Sequence, residues 1–285
     1  MKKTTRRLLN CILFLVLAFA LVQFIHSEVE NSKSQEDYAL AKQIAEGHSE
    51  AETAPTENVV SVGSHTEPAA SEPISNAEIP DPTAPVDPFI EELLAIDLDA
   101  LRHENEDVIG WIHIPDSKIS YPLLQWIDND FYLEHTWKQS NNASGAIFME
   151  YQNAPDFTDF NTIIYGHNMR NGDMFGTLNL YRNPKHLEKH PYIYIVNDEG
   201  VLRYDIFATQ SASTKSIIYG LGIETDKRKE EYIRFSRDYS LVETQIVPTA
   251  EDRILTLSTC TGRGHTSRWV VQAVWNEAQS VKRPQ

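Results

Sequence analysis

The residues with most chemistry to offer are a cysteine, a histidine and an arginine placed at the ends of apolar runs. The run Thr256-Leu257-Ser258-Thr259-Cys260 ends on the only cysteine outside the N-terminal apolar segment, which holds Cys11. Lacking a disulfide partner, Cys260 is either a buried small hydrophobe or a thiol kept for reaction. The polar, turn-forming residues after it, Thr261-Gly262-Arg263-Gly264-His265, favour an accessible strand end and therefore the second reading. An ordinary thiol is mostly protonated at neutral pH. Nucleophilic attack would need an acid–base partner, usually histidine, and a donor for the oxyanion formed in acyl transfer.

Ten histidines are available. His26, His48 and His65 lie at the edge of the apolar segment or in the polar stretch after it. His167 follows the strand-like Asn161-Thr162-Ile163-Ile164-Tyr165 and sits in a Gly/Asn turn, where a side chain can project from a rim. His265 is a rival five residues from Cys260, although Gly264 beside it makes a loose platform for a base. His186 and His190 could share a helix face as metal ligands, but Pro191 breaks such a helix. Glu188 does not complete the His-Glu-x-x-His zinc pattern, so no metal is expected. Arg268 opens Trp269-Val270-Val271-Gln272-Ala273-Val274. If that strand lies beside the one ending at Cys260, its guanidinium shares the thiol's rim and can donate to an oxyanion. From spacing alone, a solvated strand-end arginine is the commoner case, and Arg263 is a weaker alternative.

The elements that must position these residues are mostly strands. Apolar positions at Phe89, Ile90, Leu93, Leu94, Ile96, Leu98 and Leu101 predict a helix over 89–103. Strand patterns follow at 108–114, 119–124, 145–149, 161–165, 192–196, 202–211, 254–258 and 269–275. Short helical pieces are expected at 178–181 and 184–189, and a longer helix capped by Thr225 or Asp226 runs to about Arg237. Many short strands with few helices predict a mainly β, closed or nearly closed barrel with peripheral helices. There is no internal repeat.

Before residue 89 the chain reads differently. Lys2, Lys3, Arg6 and Arg7 precede Leu8–Ile25, 18 mostly apolar residues broken by Asn10 and Gln23. As a helix this stretch would span about 27 Å, close to the hydrocarbon thickness of a bilayer. The basic flank should remain in the cytoplasm, with the rest exported. Phe24-Ile25-His26-Ser27 is a poor cleavage site, so residues 1–27 are expected to stay as an anchor. Residues 28–88 carry 13 acidic side chains against Lys33 and Lys42 and become rich in Ala, Ser, Thr and Pro after Ala51. That composition predicts a disordered tether with a reach of about 45 Å, within which Tyr38 to Glu46 could form a short helix that nothing requires. It carries most of the formal charge of −16, which argues against nucleic-acid binding. Residues 89–285 are enough for one folded domain.

Taken together, the sequence motifs resemble a sortase. Tyr165-Gly166-His167-Asn168, Thr256–Cys260 and Arg268-Trp269-Val270-Val271 look like that family's active-site set. Gly110-Trp111-Ile112, Tyr121-Pro122-Leu123-Leu124-Gln125, Asp128–Leu133, Gly145–Met149 and Asn168–Gly176 are similar to class B members. The resemblance runs from about Phe89 to Trp275. It implies an eight-stranded sortase barrel with N-terminal helices and a long helix between late strands. It also implies a thioester mechanism with Cys260 as nucleophile, His167 as acid–base and Arg268 as substrate and oxyanion donor. Asn129, Leu133, Tyr165 and Ser258 are the implied groove residues. Thr261 stands where some relatives have a carboxylate, so no third catalytic acid is assigned, and no metal or cofactor is implied. The implied partners are a secreted protein with an Asn-Pro-x-Thr-like C-terminal signal and an amine acceptor. The acceptor would be a lipid-linked peptidoglycan precursor or, in pilus assembly, a pilin lysine. The alternatives outside this class are a tethered cysteine peptidase and a catalytically silent binding barrel.

Overall fold

The structure is a computed structural model that describes residues 3–47, 89–260 and 266–283. Its centre is a ring of eight strands. β1 (Val108–His113) pairs antiparallel with β2 (Ser120–Leu124), and β2 runs parallel to β3 (Ile147–Met149). β3 pairs antiparallel with β4 (Asn161–His167), which lies parallel to β7 (Ile254–Cys260). β7 pairs antiparallel with β8 (Ser267–Trp275), and β8 with β6 (Gly200–Ser213). β5 (Tyr192–Asn197) pairs with both β6 and β1 and closes the barrel. A two-residue strand, β9 (Val281–Lys282), adds to β6.

Several strands read as nearly continuous apolar runs because both of their faces are covered. The barrel interior takes Ile164, Leu255, Leu257, Val271 and Ala273. On the outside, α5 (Asp226–Asp238) lays Tyr232 and Ile233 over Phe160, Ile254 and Val274, while Ile218 packs with Val270 and Ala212. The longer helix expected from Thr225 or Asp226 is this α5; Thr225 takes the N-cap position but makes no side-chain cap hydrogen bond. A short α4 (Pro184–Lys189) is capped by Asn183, whose side chain accepts from the Lys185 amide. It ends just before Pro191, as the missing amide of proline requires.

Two expectations are corrected. The helix foreseen over 89–103 is two helices, α2 (Phe89–Leu94) and α3 (Leu98–Glu104). Asp97 separates them because its carboxylate caps α3, accepting from the Ala100 amide at 2.9 Å. The larger correction concerns the tether. α1 is one helix from Lys3 to Ala45, so residues 28–45 are ordered rather than a flexible leash. Tyr38, Ala41 and Ala45 are buried in the main core, and Ser34 is buried beside Ser144. Their spacing of four, three and four makes one helical stripe, and small side chains let the helix approach closely. The apolar residues of the preceding stretch, Ile12 to Ile25, stay exposed. By length and composition this part of α1 can cross a membrane. The rest of the expected tether, residues 48–88, lies outside the described residues.

Candidate active site

Parallel pairing gives the site its plan. β4 and β7 run side by side in register from Asn161↔Ile254 to His167↔Cys260, so both strands deliver their last residue to the same rim. β8 comes back antiparallel along β7 with pairs Thr256↔Gln272 and Ser258↔Val270. That ladder ends there, and Arg268 lies two residues further toward the rim, opposite Ala212 of β6. Paired residues share a sheet face and alternate residues return to it. One outer face therefore carries Asn161, Ile163, Tyr165 and His167 from β4, beside Thr256 and Ser258 from β7, the strand that ends at Cys260. Gln272, Val270 and Arg268 of β8 complete it.

This face is built in levels. At its base Tyr232 of α5 reaches in, and its hydroxyl lies 2.9 Å from Asn161 Oδ1, 3.0 Å from Thr256 Oγ1 and 2.9 Å from Gln272 Nε2. Burial pushes the Tyr232 phenol above its ordinary range, which keeps it a neutral hydrogen-bonding group. Asn161 Nδ2 donates to the carbonyls of Ile218 and Gly220, both at 3.0 Å, fixing the segment between β6 and α5 over the sheet. Tyr232→Phe removes one hydroxyl from this buried network. It should lower the unfolding free energy by about 1–3 kcal/mol, read as a lower urea midpoint at unchanged slope.

The middle level holds the expected groove residues. Tyr165 and Asn129 meet on one carboxylate. The Tyr165 hydroxyl is 2.9 Å and Asn129 Nδ2 2.7 Å from Glu150 Oε2, while Asn129 Oδ1 accepts from the Tyr151 amide. Glu150 is only 4% exposed, so these two donors are what lets a carboxylate sit there. Ser258 pairs with Tyr165 in the ladder, and its Oγ lies 2.8 Å from the Tyr219 hydroxyl.

The rim holds His167, half-buried, with Nε2 2.7 Å from the Leu133 carbonyl. A carbonyl only accepts, so Nε2 carries the ring proton and Nδ1 is the nitrogen left to exchange one. Leu133 enters the site through its backbone and ends a 3₁₀ turn, Phe131–Leu133. Behind His167 the chain is packed tightly. A Cβ on Gly166 would stand 2.4 Å from Ile147 Cδ1 and 2.8 Å from Phe175 Cγ, so only glycine fits there. Just below Cys260, Thr259 Oγ1 accepts from the Trp269 amide at 3.0 Å and donates to its carbonyl at 3.2 Å. This buried clamp joins β7 to β8 one step from the thiol position. Arg268 is half-buried, with Nη1 3.4 Å from the Ser267 carbonyl.

All seven expected site residues therefore fall on this rim or the face below it, with Asn129 and Leu133 reaching it through Glu150 and His167. The rivals Arg263 and His265, and Thr261, lie outside the described residues. His186 and His190 form a ring pair, centroids 4.5 Å apart, on and just after α4. Desolvation, followed by the neighbouring His190, lowers the proton affinity of His186. Residues not singled out from the sequence are Glu150, Tyr219, Asn161 and Tyr232. Asn161 did carry a signal, as a polar residue in step with Ile163, Tyr165 and His167.

A sortase domain matches residues 112–276. The chain is 37% identical over 162 residues to Sortase B of Listeria monocytogenes and 30% identical over 162 residues to Sortase B of Staphylococcus aureus. These matches take in 56% and 57% of this chain and 65% and 66% of the relatives, just under two thirds of their length. Among solved structures, the Staphylococcus aureus sortase B–substrate complex superposes with a TM-score of 0.61 at 30% identity. That match covers 63% of this chain and 84% of the other. The shared barrel, together with a cysteine and a histidine closing two parallel strands, places this chain in the sortase family, in its class B branch.

Proposed function

We propose that this protein is a membrane-anchored cysteine transpeptidase. It cleaves a C-terminal sorting signal on a secreted protein and passes the acyl group to an amine of the cell wall. The observation that carries this reading is the parallel pairing of His167 with Cys260, with Arg268 delivered to the same rim by β8. The Cys260 thiolate attacks the scissile carbonyl. The tetrahedral oxyanion takes hydrogen bonds from the Arg268 guanidinium, and His167 gives a proton to the departing amine. A thioester on Cys260 remains. The incoming amine gives its proton to His167 as it attacks, the thioester C–S bond breaks, and the thiolate returns.

Asn129, Leu133, Tyr165 and Ser258 bind the signal, which by class B likeness is of the Asn-Pro-x-Thr kind. Glu150 supports this by holding Asn129 and Tyr165 together on one carboxylate. The apolar start of α1 spans the membrane with its basic end in the cytoplasm and the barrel outside. There the barrel meets a membrane-held precursor and a lipid-linked amine.

The test uses the full chain in detergent micelles with Asn-Pro-x-Thr peptides, triglycine and a lysine-bearing peptide, read by mass spectrometry. A thioester on Cys260 that yields amine-ligated product, absent in Cys260→Ala, is the expected result. Fast hydrolysis indifferent to amines would make the protein a peptidase. Ligation to the lysine peptide in preference to triglycine would move the role to pilus assembly.

A further inference from the structure

We propose that Tyr38, on the helix that also carries the apolar span, is a positioning residue for His167. The anchor helix is then part of the active-site scaffold. The proposal builds on the reading of His167 as the acid–base.

The argument follows the contacts outward from the imidazole. His167 Nε2 donates to the Leu133 carbonyl at 2.7 Å. Gly145 stands against the same ring with φ +56°. A Cβ there would be 2.6 Å from the Tyr132 carbonyl oxygen, 2.8 Å from that of Leu133 and 3.0 Å from His167 Cδ2. The backbone of Gly145 is therefore the wall behind both the ring and its acceptor. The carbonyl of Gly145 accepts from the buried Tyr38 hydroxyl at 2.8 Å.

Neighbouring contacts repeat this pattern. Ser34 Oγ lies 2.6 Å from Ser144 Oγ, and Asn142 Nδ2 donates to the Glu30 carbonyl at 2.9 Å. Thr136 Oγ1 and Trp137 Nε1 donate to Asp37, at 2.9 and 2.7 Å. One short stretch of α1 thus fixes the return loop between residues 136 and 145 at five points. That loop and the residue after it in turn hold 132–134, through the Ala146 amide on the Tyr132 carbonyl and the Asn142 amide on the Glu134 carbonyl. Tyr38 also packs edge-on against Tyr121, centroids 5.1 Å apart. The Tyr121 hydroxyl accepts from the Met174 amide, in the loop that follows His167. Both segments that frame the imidazole are therefore tied back to α1.

Reactions that depend on a placed proton lose rate when the acid–base drifts by a fraction of an ångström. The test compares the full-length protein with Tyr38→Phe and with Ala41→Gly, which weakens the same helix without touching Gly145. Three quantities are read: the thermal midpoint, kcat and KM for ligation of an Asn-Pro-x-Thr peptide to triglycine, and the His167 Nε2–H resonance by NMR. Tyr38→Phe should lower kcat about tenfold with KM within about twofold, and shift the resonance. Ala41→Gly should lower the midpoint and leave kcat and the resonance in place. Equal losses of kcat in both variants, or an unmoved resonance in Tyr38→Phe, would overturn the proposal. If no variant ligates peptide, the reaction reading fails while the resonance still decides the positioning. Should Tyr38→Phe not fold, 3-fluorotyrosine placed at position 38 changes the donor strength of the hydroxyl with the ring in place; it should shift the same resonance, and an unmoved resonance would overturn the proposal.

Discussion

His167→Ala should lower kcat/KM for amine ligation by roughly 10³-fold or more while the unfolding midpoint stays within a few degrees. The loss is large because, in the proposed mechanism, one ring serves both half-reactions, protonating the leaving amine and then deprotonating the incoming one. Stability is spared because the ring sits half-buried at a strand end and gives up one hydrogen bond, to the Leu133 carbonyl. Single-turnover measurements separate the steps. Thioester formation and aminolysis should both slow, and substrate binding should hold. Near-normal turnover would transfer the role to another base, with His265 the first to examine.

Arg268→Lys should reduce kcat/KM by about 10²-fold, with most of the loss in kcat. A lysine keeps the charge yet presents a single rotating ammonium in place of a planar fork of donors, so it cannot reproduce two directed hydrogen bonds. β8 provides the reason that geometry matters here. Arg268 is held opposite Ala212 on β6, two residues past the end of the β7–β8 ladder at Ser258↔Val270, so its backbone has little freedom to follow a shorter reach. Retained activity would reduce Arg268 to an ordinary strand-end charge. A rise in KM with kcat unchanged would make it a binding residue alone.

The parts of the fold legible in the sequence were those where a regular pattern meets a two-sided core. The runs 161–165, 254–258 and 269–275 became β4, β7 and β8, extended by up to two residues because pairing continues as far as the rim. α5 was legible from Thr225 and the apolar pair Tyr232 and Phe235. The helix past residue 28 was legible only as an optional short piece from Tyr38, since its contact stripe is Ser34, Tyr38, Ala41 and Ala45 in an acidic background. Average composition describes the exposed faces of such a helix and misses a narrow stripe of small residues. Glu150 was equally hidden, because a carboxylate after an apolar strand normally signals exposure. The three-dimensional meeting of Asn129 and Tyr165, with the nearby Gln152 amide, makes its burial tolerable. Cys260 and His167 stood out because unusual residue types at strand ends leave a local mark. Their supports lie far away in sequence and leave none.

The parallel joining of β4 to β7 also has a kinetic consequence. His167 and Cys260 are 93 positions apart, and between them come two strands, the crossover and α5. Closing so long a loop is slow, and its entropy is paid before the contact rewards it. β7 and β8 are the last strands of the ring to be made and must fill the gap between β4 and β6. Until they do, two open strand edges face solvent and the thiol has no base beside it. On the proposed reading, Cys260 therefore stays unactivated through most of folding, and reactivity appears only when the final strands zip the barrel shut.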